Sequence, residues 1–291
     1  MHKFLEAIGF SELKKRDLEI IIEDIIERPQ MMRVTKDSDG NEFAELSKEF
    51  ASNMGIVLRG NYSENDSFQS EYYYPYFLGT EITTHEEIEI QKHAEKESYA
   101  GVCDDVHLGV TLIFYLQNLT DYLSEANRTS HPLRPEGAVL SGLSIEGKIL
   151  MPVQERNVRK QGNNYSRPDR SQLIARAKDG DESAIESLTL EDMDAYNILS
   201  RRILHEDILS IVSTYFMPYG IESDQYSVLG IILDYTLETN KLTGKSIYCM
   251  KLSCNDIIFD VCIPEEKLMG EPEIGRRFKG NIWMQGSVCM E

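Results

Sequence analysis

The sequence is poor in basic side chains. It contains 30 lysine and arginine residues against 49 aspartate and glutamate residues, so its formal net charge is −19 at pH 7. A chain this acidic repels phosphate backbones and anionic lipid headgroups. We therefore expect neither nucleic acid nor a membrane as its partner, unless a local basic patch overrides the average.

Long apolar runs and a secretion signal are also missing. No run approaches the ~18 uninterrupted apolar residues of a membrane-spanning helix. The first residues, MHKFLEAIGF, lack a cationic segment followed by an apolar core and a cleavage site. The sequence therefore predicts a cytoplasmic protein.

Cysteine is sparse as well. The five cysteines are scattered over strand-like segments of a 291-residue chain, which favours reduced, buried thiols over a disulfide scaffold. Cys249, Cys254 and Cys262 lack the paired spacing of a structural zinc site. Cys103 and His107 could be drawn as nucleophile and base, but nothing in the sequence would activate the thiol.

Known catalytic and cofactor motifs are absent. The sequence contains no G-x-S-x-G, Walker A, G-x-G-x-x-G or H-E-x-x-H pattern. We therefore predict no catalytic residue, no cofactor and no metal site. An enzyme is unsupported by the sequence rather than excluded by it.

Residues 1–155 are expected to form an α+β domain. An apolar stripe predicts a helix over residues 11–28, capped by its first serine. Hairpins are expected around Asp39-Gly40 and Glu146-Gly147, with β-branched and aromatic strands between them. These elements predict a mostly antiparallel sheet with packed helices.

A tyrosine-rich run lies on one of these strands. Alternation puts Phe68, Tyr72, Tyr74 and Tyr76 on one strand face. Such a face could stack on a sugar or a base. Packing against the first helix is the simpler interpretation, because aromatic side chains commonly fill interiors.

Residues 156–225 are expected to form a helical connector. The segment 155–170 carries five basic and two acidic side chains with glycine, asparagine and proline between them, which indicates an exposed linker. An apolar stripe then predicts a long helix over residues 189–215.

Residues 226–291 give the clearest architectural signal. Four apolar runs, YSVLGIILDYTL, KSIYCMKLS, DIIFDVCIP and FKGNIWMQGSV, are separated by turns or by a longer loop. Short strands at this spacing predict a small β-barrel that resembles the OB fold. The predicted fold class is therefore α+β, with an N-terminal sheet domain, a helical connector and a C-terminal OB-like barrel.

An acidic run offers one catalytic alternative. Glu87, Glu89 and His93 alternate along the chain, so a strand would put them on one face. Such a face could bind divalent cations and position a phosphate, as in a metal-dependent phosphohydrolase. The apolar residues between them are equally typical of a strand with one solvated face, and that interpretation is favoured.

A basic loop near the C-terminus is the best candidate for a recognition surface. Within residues 270–285, Arg276, Arg277 and Lys279 stand close to Trp283, the only tryptophan of the chain. We expect them to bind an acidic protein or a small anionic ligand, and hence predict a non-catalytic binding or scaffolding role. Trp283 by itself is more typical of a barrel core.

Three stretches together resemble a known family. They are LIFYLQN at residues 112–118, LSGLSIEGKILMPV at 140–153 and GEPEIGRRFKGNIWMQG at 270–286. They are similar to a family from clostridial-type bacteria that is described only as a domain of unknown function. The resemblance implies a cytosolic bacterial protein and carries no activity, cofactor or catalytic residue.

Overall fold

The computed structural model describes most of the chain, namely residues 2–63, 67–92, 98–105, 108, 110–129, 133–153, 176, 181, 183–184, 186–187 and 208–290. The chain divides into two compact units, one made of Met1–Met151 with Thr214–Glu291 and the other of Pro152–Ser213. No helix within the described ranges is long and apolar enough to cross a membrane. The linker expected over residues 155–170 lies outside these ranges, as does most of the helix expected over residues 189–215.

The first unit is mainly β. Its helices are a 3-10 helix (Lys3–Ile8), α1 (Lys15–Glu27), α2 (Leu119–Ala126) and a 3-10 turn (Glu265–Lys267), while α3 (Ile208–Ile211) belongs to the second unit. Its strands are β1 (Met31–Lys36), β2 (Glu42–Ala51), β3 (Met54–Tyr62), β4 (Phe68–Phe77), β5 (Thr84–Glu87), β6 (Glu89–Lys92), β7 (Tyr99–Cys103), β8 (Leu112–Leu116), β9 (Glu136–Leu150), β10 (Tyr215–Pro218), β11 (Gln225–Thr239), β12 (Ser246–Cys254), β13 (Ile257–Pro264), β14 (Leu268–Met269) and β15 (Arg277–Val288).

Strands β1 to β4 form an antiparallel sheet in chain order. The predicted hairpin around Asp39-Gly40 is confirmed. The Asp37 carboxylate accepts hydrogen bonds from the backbone N–H groups of Asp39 at 2.9 Å and Asn41 at 2.7 Å. Gly40 has a φ of 86°, a left-handed conformation that glycine adopts at no steric cost.

The first predicted helix is present as α1 but begins later than expected. It starts at Lys15, and the backbone N–H of Lys14 donates to the Asp17 carboxylate at 3.3 Å. The expected cap, Ser11, instead donates its hydroxyl to Glu266 Oε1 at 2.5 Å. A long-range partner thus replaces the local capping bond that the sequence suggested.

The remaining strands form a large mixed sheet. β11 pairs with β12 and β12 with β13, both antiparallel; β13 pairs with β9 in parallel, and β9 pairs with β15 antiparallel. β15 in turn pairs antiparallel with β11. The sheet continues from β15 through β8, β7 and β6. β9 lies between β13 and β15 in this sheet. The large sheet therefore contains strands from residues 1–155 and from residues 226–291, which the sequence had assigned to separate domains.

Two local predictions on these strands are wrong. No turn occurs at Glu146-Gly147, because β9 runs unbroken through both residues. Gly147 serves close packing instead, since a Cβ there would lie 2.5 Å from the ring of Phe278. The helix expected to end at Tyr215 has already ended, and Tyr215 begins β10 opposite Leu229 of β11.

Apolar cores lie on both faces of the large sheet. One contains Ile282 and Met284 of β15 and the other contains Trp283 between them, as the alternation of a strand requires. The second core also holds the N-terminal helices and Tyr74, which confirms the predicted core role at Tyr74, whereas Phe68, Tyr72 and Tyr76 are only partly buried against this core.

Arg59 of β3 joins the two sheets. Its guanidinium is fully buried and donates Nε to Glu45 Oε2 at 2.8 Å. Nη1 donates to the hydroxyl of Tyr115 at 3.1 Å, and Nη2 donates to the carbonyl oxygens of Leu116 at 3.3 Å and Gln117 at 2.7 Å. One side chain thereby binds the end of β8 to the four-stranded sheet.

Candidate functional site

Lys148 and Lys279 lie directly opposite each other on β9 and β15. Directly opposite residues of antiparallel strands project to the same face, so the two lysine side chains are cross-strand neighbours. Both side chains are half-buried, and within the described residues neither has an ion pair or a hydrogen bond from its side chain. Like charges placed directly opposite are unfavourable unless an anion compensates them.

The two lysines line a small groove on the sheet. Its volume is about 230 Å³, and its lining residues are Glu146, Gly147, Lys148, Ser227, Met269, Lys279, Gly280 and Asn281. We call this set the lysine groove. Its single carboxylate, that of Glu146, already accepts a hydrogen bond from Asn281 Nδ2 at 2.8 Å. Because the Asn281 amide is neutral, the Glu146 carboxylate keeps its charge, and the groove lining carries two ammonium groups against one carboxylate.

Two glycines fix which way the lysines point. Gly147 and Gly280 are opposite each other on β9 and β15, and a Cβ on either would lie 2.5 Å from the Phe278 ring. These positions therefore face the core that contains Phe278. Because side chains alternate along a strand, the adjacent Lys148 and Lys279 face outward.

The other two basic residues of the predicted loop are engaged within the protein. Arg276 pairs with Glu273 Oε1 at 2.7 Å and donates to the carbonyl oxygen of Glu271 at 2.9 Å. Arg277 is 4% exposed and donates through Nε and Nη2 to the carbonyl oxygen of Met151, at 2.9 and 2.8 Å. Burial lowers the pKa of Arg277. Arg276 thus holds the loop to itself, Arg277 ties it to the residue that follows β9, and neither lines the groove with Lys279.

Trp283 lies in a core. Its side chain is 5% exposed, and Nε1 donates to Asp224 Oδ2 at 2.7 Å. Its ring stacks on Phe4 at 5.4 Å and contacts His2 at 4.7 Å between ring centroids. In this position the indole stabilises the fold and does not line the lysine groove.

The acidic run does not form one strand. Glu87 ends β5, which pairs with β9, whereas Glu89 begins β6, which pairs with β7. Glu87 pairs with Arg134 at 2.8 Å, and Glu89 accepts a hydrogen bond from Gln91 Nε2 at 3.1 Å. His93 lies outside the described residues, so the phosphohydrolase alternative stays a prediction.

The described residues provide no metal site. They contain no cluster of three or more histidine, cysteine, aspartate or glutamate side chains suited to a metal ion. All five cysteines are free. Burial raises the pKa of Cys103 to about 11 and that of Cys249 to about 12, so both thiols are protonated and poorly nucleophilic at neutral pH.

A larger cavity near Arg59 is electrostatically balanced. It has a volume of about 310 Å³, and its lining includes Glu45, Arg33 and Asp121. Glu45 is paired with Arg59, and Arg33 is paired with Asp121 at 2.8 Å. Because each lining charge already has a partner, this cavity offers less to a charged ligand than the lysine groove.

Sequence reasoning identified Lys279 and missed Lys148. Lys148 follows the glycine that was taken for a turn, and a turn would have directed it away from β15. Only the register of β9 against β15 brings the two lysines together. A continuous apolar alternation on both sides of Glu146-Gly147 was the one available signal for an unbroken strand.

The fold and this site define a mainly β domain with a half-buried, outward-facing pair of lysines in a strongly acidic chain. The family model described as "Domain of unknown function, E. rectale Gene description (DUF3881)" matches residues 5–286. The chain belongs to this family, which confirms the resemblance to a clostridial-type family of unknown function. No curated protein and no solved structure matches the chain.

Proposed function

We propose that this protein is a non-catalytic, cytoplasmic binding protein that holds an acidic partner in the lysine groove. The observation that carries the proposal is the pair Lys148 and Lys279, directly opposite each other and without an ion pair among the described residues. Two adjacent ammonium groups attract a carboxylate or phosphate more strongly than one, because their fields add.

The size of the groove favours a protein partner over a whole small molecule. Pockets that enclose drug-sized ligands usually span ~300 to 1,000 Å³, whereas this groove has about 230 Å³. It suits one anionic group, with the rest of the partner lying outside. An acidic protein segment that inserts a glutamate or aspartate side chain fits this description. The experiment below also tests a small anion, inorganic phosphate.

The surrounding strands support an OB-like barrel as the scaffold. β11, β12, β13, β9 and β15 pair in succession, and β15 pairs again with β11. In this proposal β9 completes the barrel that residues 226–291 would otherwise leave open. The lysine groove then lies on its outer surface, where barrels of this kind bind their ligands.

The test measures binding of a fluorescently labelled glutamate-rich peptide by anisotropy, with inorganic phosphate as a competitor. Changing both Lys148 and Lys279 to alanine should weaken peptide binding by roughly tenfold or more, equivalent to ~1.4 kcal/mol. The matched control changes Lys15 and Lys36, two exposed lysines, to alanine and alters the net charge equally. Added salt should weaken binding to the unmodified protein.

Two results would overturn the proposal. One is an equal loss of affinity in the groove variant and the control variant, which would indicate only a net-charge effect. The other is no measurable peptide or phosphate binding at low salt. Direct binding of inorganic phosphate, measured by isothermal titration calorimetry, without any peptide binding would instead assign the groove to a small anion.

A further inference from the structure

Among the described strands, the second half of β11 is paired on one side only and forms an open strand edge. β11 pairs with β15 only over Gln225–Ile231 and with β12 over Ile231–Thr239. The last backbone bonds on the open side join Ile232 to Arg276 and to Gly275, both at 2.8 Å. From Leu233 onward no described strand flanks β11 opposite β12.

The backbone of this edge can pair with another strand once the Tyr235 N–H exchanges its local acceptor, the Asp234 carboxylate. The pairing of β11 with β12 is irregular between Ile232 and Asp234, so Leu233 is an extra residue and the alternation restarts after it. Since the N–H of Ile232 faces the open side, those of Tyr235 and Leu237 do as well. The N–H of Tyr235 donates to the adjacent Asp234 carboxylate at 2.8 Å.

The side chains of the edge are amphipathic. Leu233, Tyr235 and Leu237 are 39%, 38% and 51% exposed. Asp234 and Glu238 alternate with Tyr235 and Leu237 along the strand, and they line a cavity of about 370 Å³ to which Tyr235 also contributes. An exposed edge with apolar side chains is a template for strand addition unless the protein protects it.

The charge beside the edge is negative. The same cavity contains Asp260, whose carboxylate accepts hydrogen bonds from Thr80, and Lys251, which pairs with Glu81 at 3.2 Å. Asp234 and Glu238 have no ion pair among the described residues. A partner strand must therefore supply positive charge on this face.

A second copy of this chain does not meet that requirement. If two β11 edges paired antiparallel around Thr236, Asp234 of each copy would face Glu238 of the other on the same face. Like charges directly opposite each other destabilise a strand pair. The arrangement disfavours self-association and leaves the edge open to a basic segment.

We infer that the free edge of β11 binds an extended basic peptide segment as an added antiparallel strand. Backbone hydrogen bonds to Tyr235 and Leu237 give affinity, and alternate side chains give selectivity, as in other cases of strand addition. Lysine or arginine lies opposite Asp234 and Glu238, and apolar residues lie opposite Tyr235 and Leu237. This surface and its partner are distinct from the lysine groove and its acidic partner.

The experiment titrates the full chain with a labelled peptide that contains Lys-Val-Thr-Val-Lys, measured by anisotropy. The control peptide contains Val-Lys-Thr-Lys-Val, which has the same composition but presents its lysines on the other face. We expect the first peptide to bind roughly tenfold or more tightly than the second, because only the first sets its charges against Asp234 and Glu238.

Charge reversal tests the assignment of the edge. Changing Asp234 and Glu238 to lysine should abolish binding of the lysine peptide and create binding of Glu-Val-Thr-Val-Glu. The matched control reverses Asp39 and Glu42, exposed residues of the β1–β2 hairpin, and should leave the preference unchanged. Leu237→Pro should weaken both peptides, since proline removes a donor from the open edge.

Three outcomes would overturn the inference. They are equal affinity for the two lysine peptides, a preference that survives reversal at Asp234 and Glu238, and a wild-type dimer in sedimentation that Leu237→Pro dissociates. The last result would assign the edge to a second copy of the chain. Circular dichroism of each variant verifies that a lost affinity is not a lost fold.

Discussion

The guanidinium of Arg59 and the carboxylate of Glu45 form a buried ion pair, with Nε 2.8 Å from Oε2 and both side chains at most 8% exposed. The same guanidinium holds the end of β8 through the carbonyl oxygens of Leu116 and Gln117. The pair therefore couples the four-stranded sheet to the large sheet. Its loss affects stability at the contact between the sheets rather than within one of them.

Arg59→Met should lower the free energy of unfolding by about 3 to 5 kcal/mol, because it leaves Glu45 charged and buried without its partner. Arg59→Met combined with Glu45→Met should cost less than the sum of the two single changes. Urea unfolding measures all three. The exposed pair of Arg33 and Asp121 is the control, and Arg33→Met should cost no more than about 1 kcal/mol. Additive losses at Arg59 and Glu45 would contradict the coupling.

Lys148→Glu should stabilise the protein while it removes acidic-peptide binding. The change replaces two like charges across β9 and β15 with an ion pair, worth about 0.2 to 1 kcal/mol in urea unfolding. Lys36→Glu is a control of opposite sign, because Lys36 faces Glu42 across β1 and β2 and the change creates a repulsive pair. Equal shifts in both variants would show that cross-strand charge does not control stability here.

Stability should fall as the pH decreases from about 6.5 to about 4, because of His2. Burial, with a smaller effect of the Lys3 charge, lowers the pKa of His2 to about 4, against ~6.5 in an unfolded chain. The unfolded chain thus takes up a proton first and is favoured, by roughly 2 kcal/mol at pH 5. This contribution is fully present above pH 6.5 and is lost toward pH 4.

His2→Phe tests the origin of that pH dependence. Phenylalanine keeps an aromatic ring beside Trp283, which His2 contacts at 4.7 Å, and cannot titrate. Urea unfolding at pH 7.5 and pH 5 should show a smaller difference in the variant than in the wild type. His85→Asn, at an exposed position, should retain the wild-type difference. An unchanged pH dependence in His2→Phe would assign the effect to other groups.

Gly101→Ala should destabilise the protein by about 1 to 3 kcal/mol through overpacking. A Cβ at this position would lie 2.2 Å from the ring of Phe114, its cross-strand neighbour on β8. Adding Phe114→Leu to Gly101→Ala should recover part of the loss, although Phe114→Leu alone is destabilising. Thermal unfolding of the two single variants and the double variant measures this recovery, and strictly additive effects would refute the clash.

Local patterns predicted the elements whose partners are close in sequence. Asp37 and Gly40 close the β1–β2 hairpin with bonds inside the turn, so the sequence contained all that the hairpin needs. The same reasoning failed at Ser11 and at Gly147. The bond of Ser11 goes to Glu266, and the packing partner of Gly147 is Phe278, both far along the chain.

The candidate site was likewise only partly predictable from local sequence patterns. The sequence identified Lys279 as part of a basic cluster, but it could not separate Lys279 from Arg277. Both lie on the outward face of β15, and only the tertiary structure shows that Arg277 is buried on the carbonyl oxygen of Met151. Lys148 entered the site because β9 pairs with β15, a pairing that no local pattern encodes.

The sequence by itself determined the acidic charge, the strand-rich C-terminal segment, the first hairpin and the family, because composition, alternation and turn chemistry depend on neighbouring residues. The tertiary structure decided that β9 lies between β13 and β15, which lysines become neighbours, and which edge of β11 stays open. Those outcomes depend on the pairing of distant strands, where packing of Phe278 against Gly147 favours one register among many that local sequence permits.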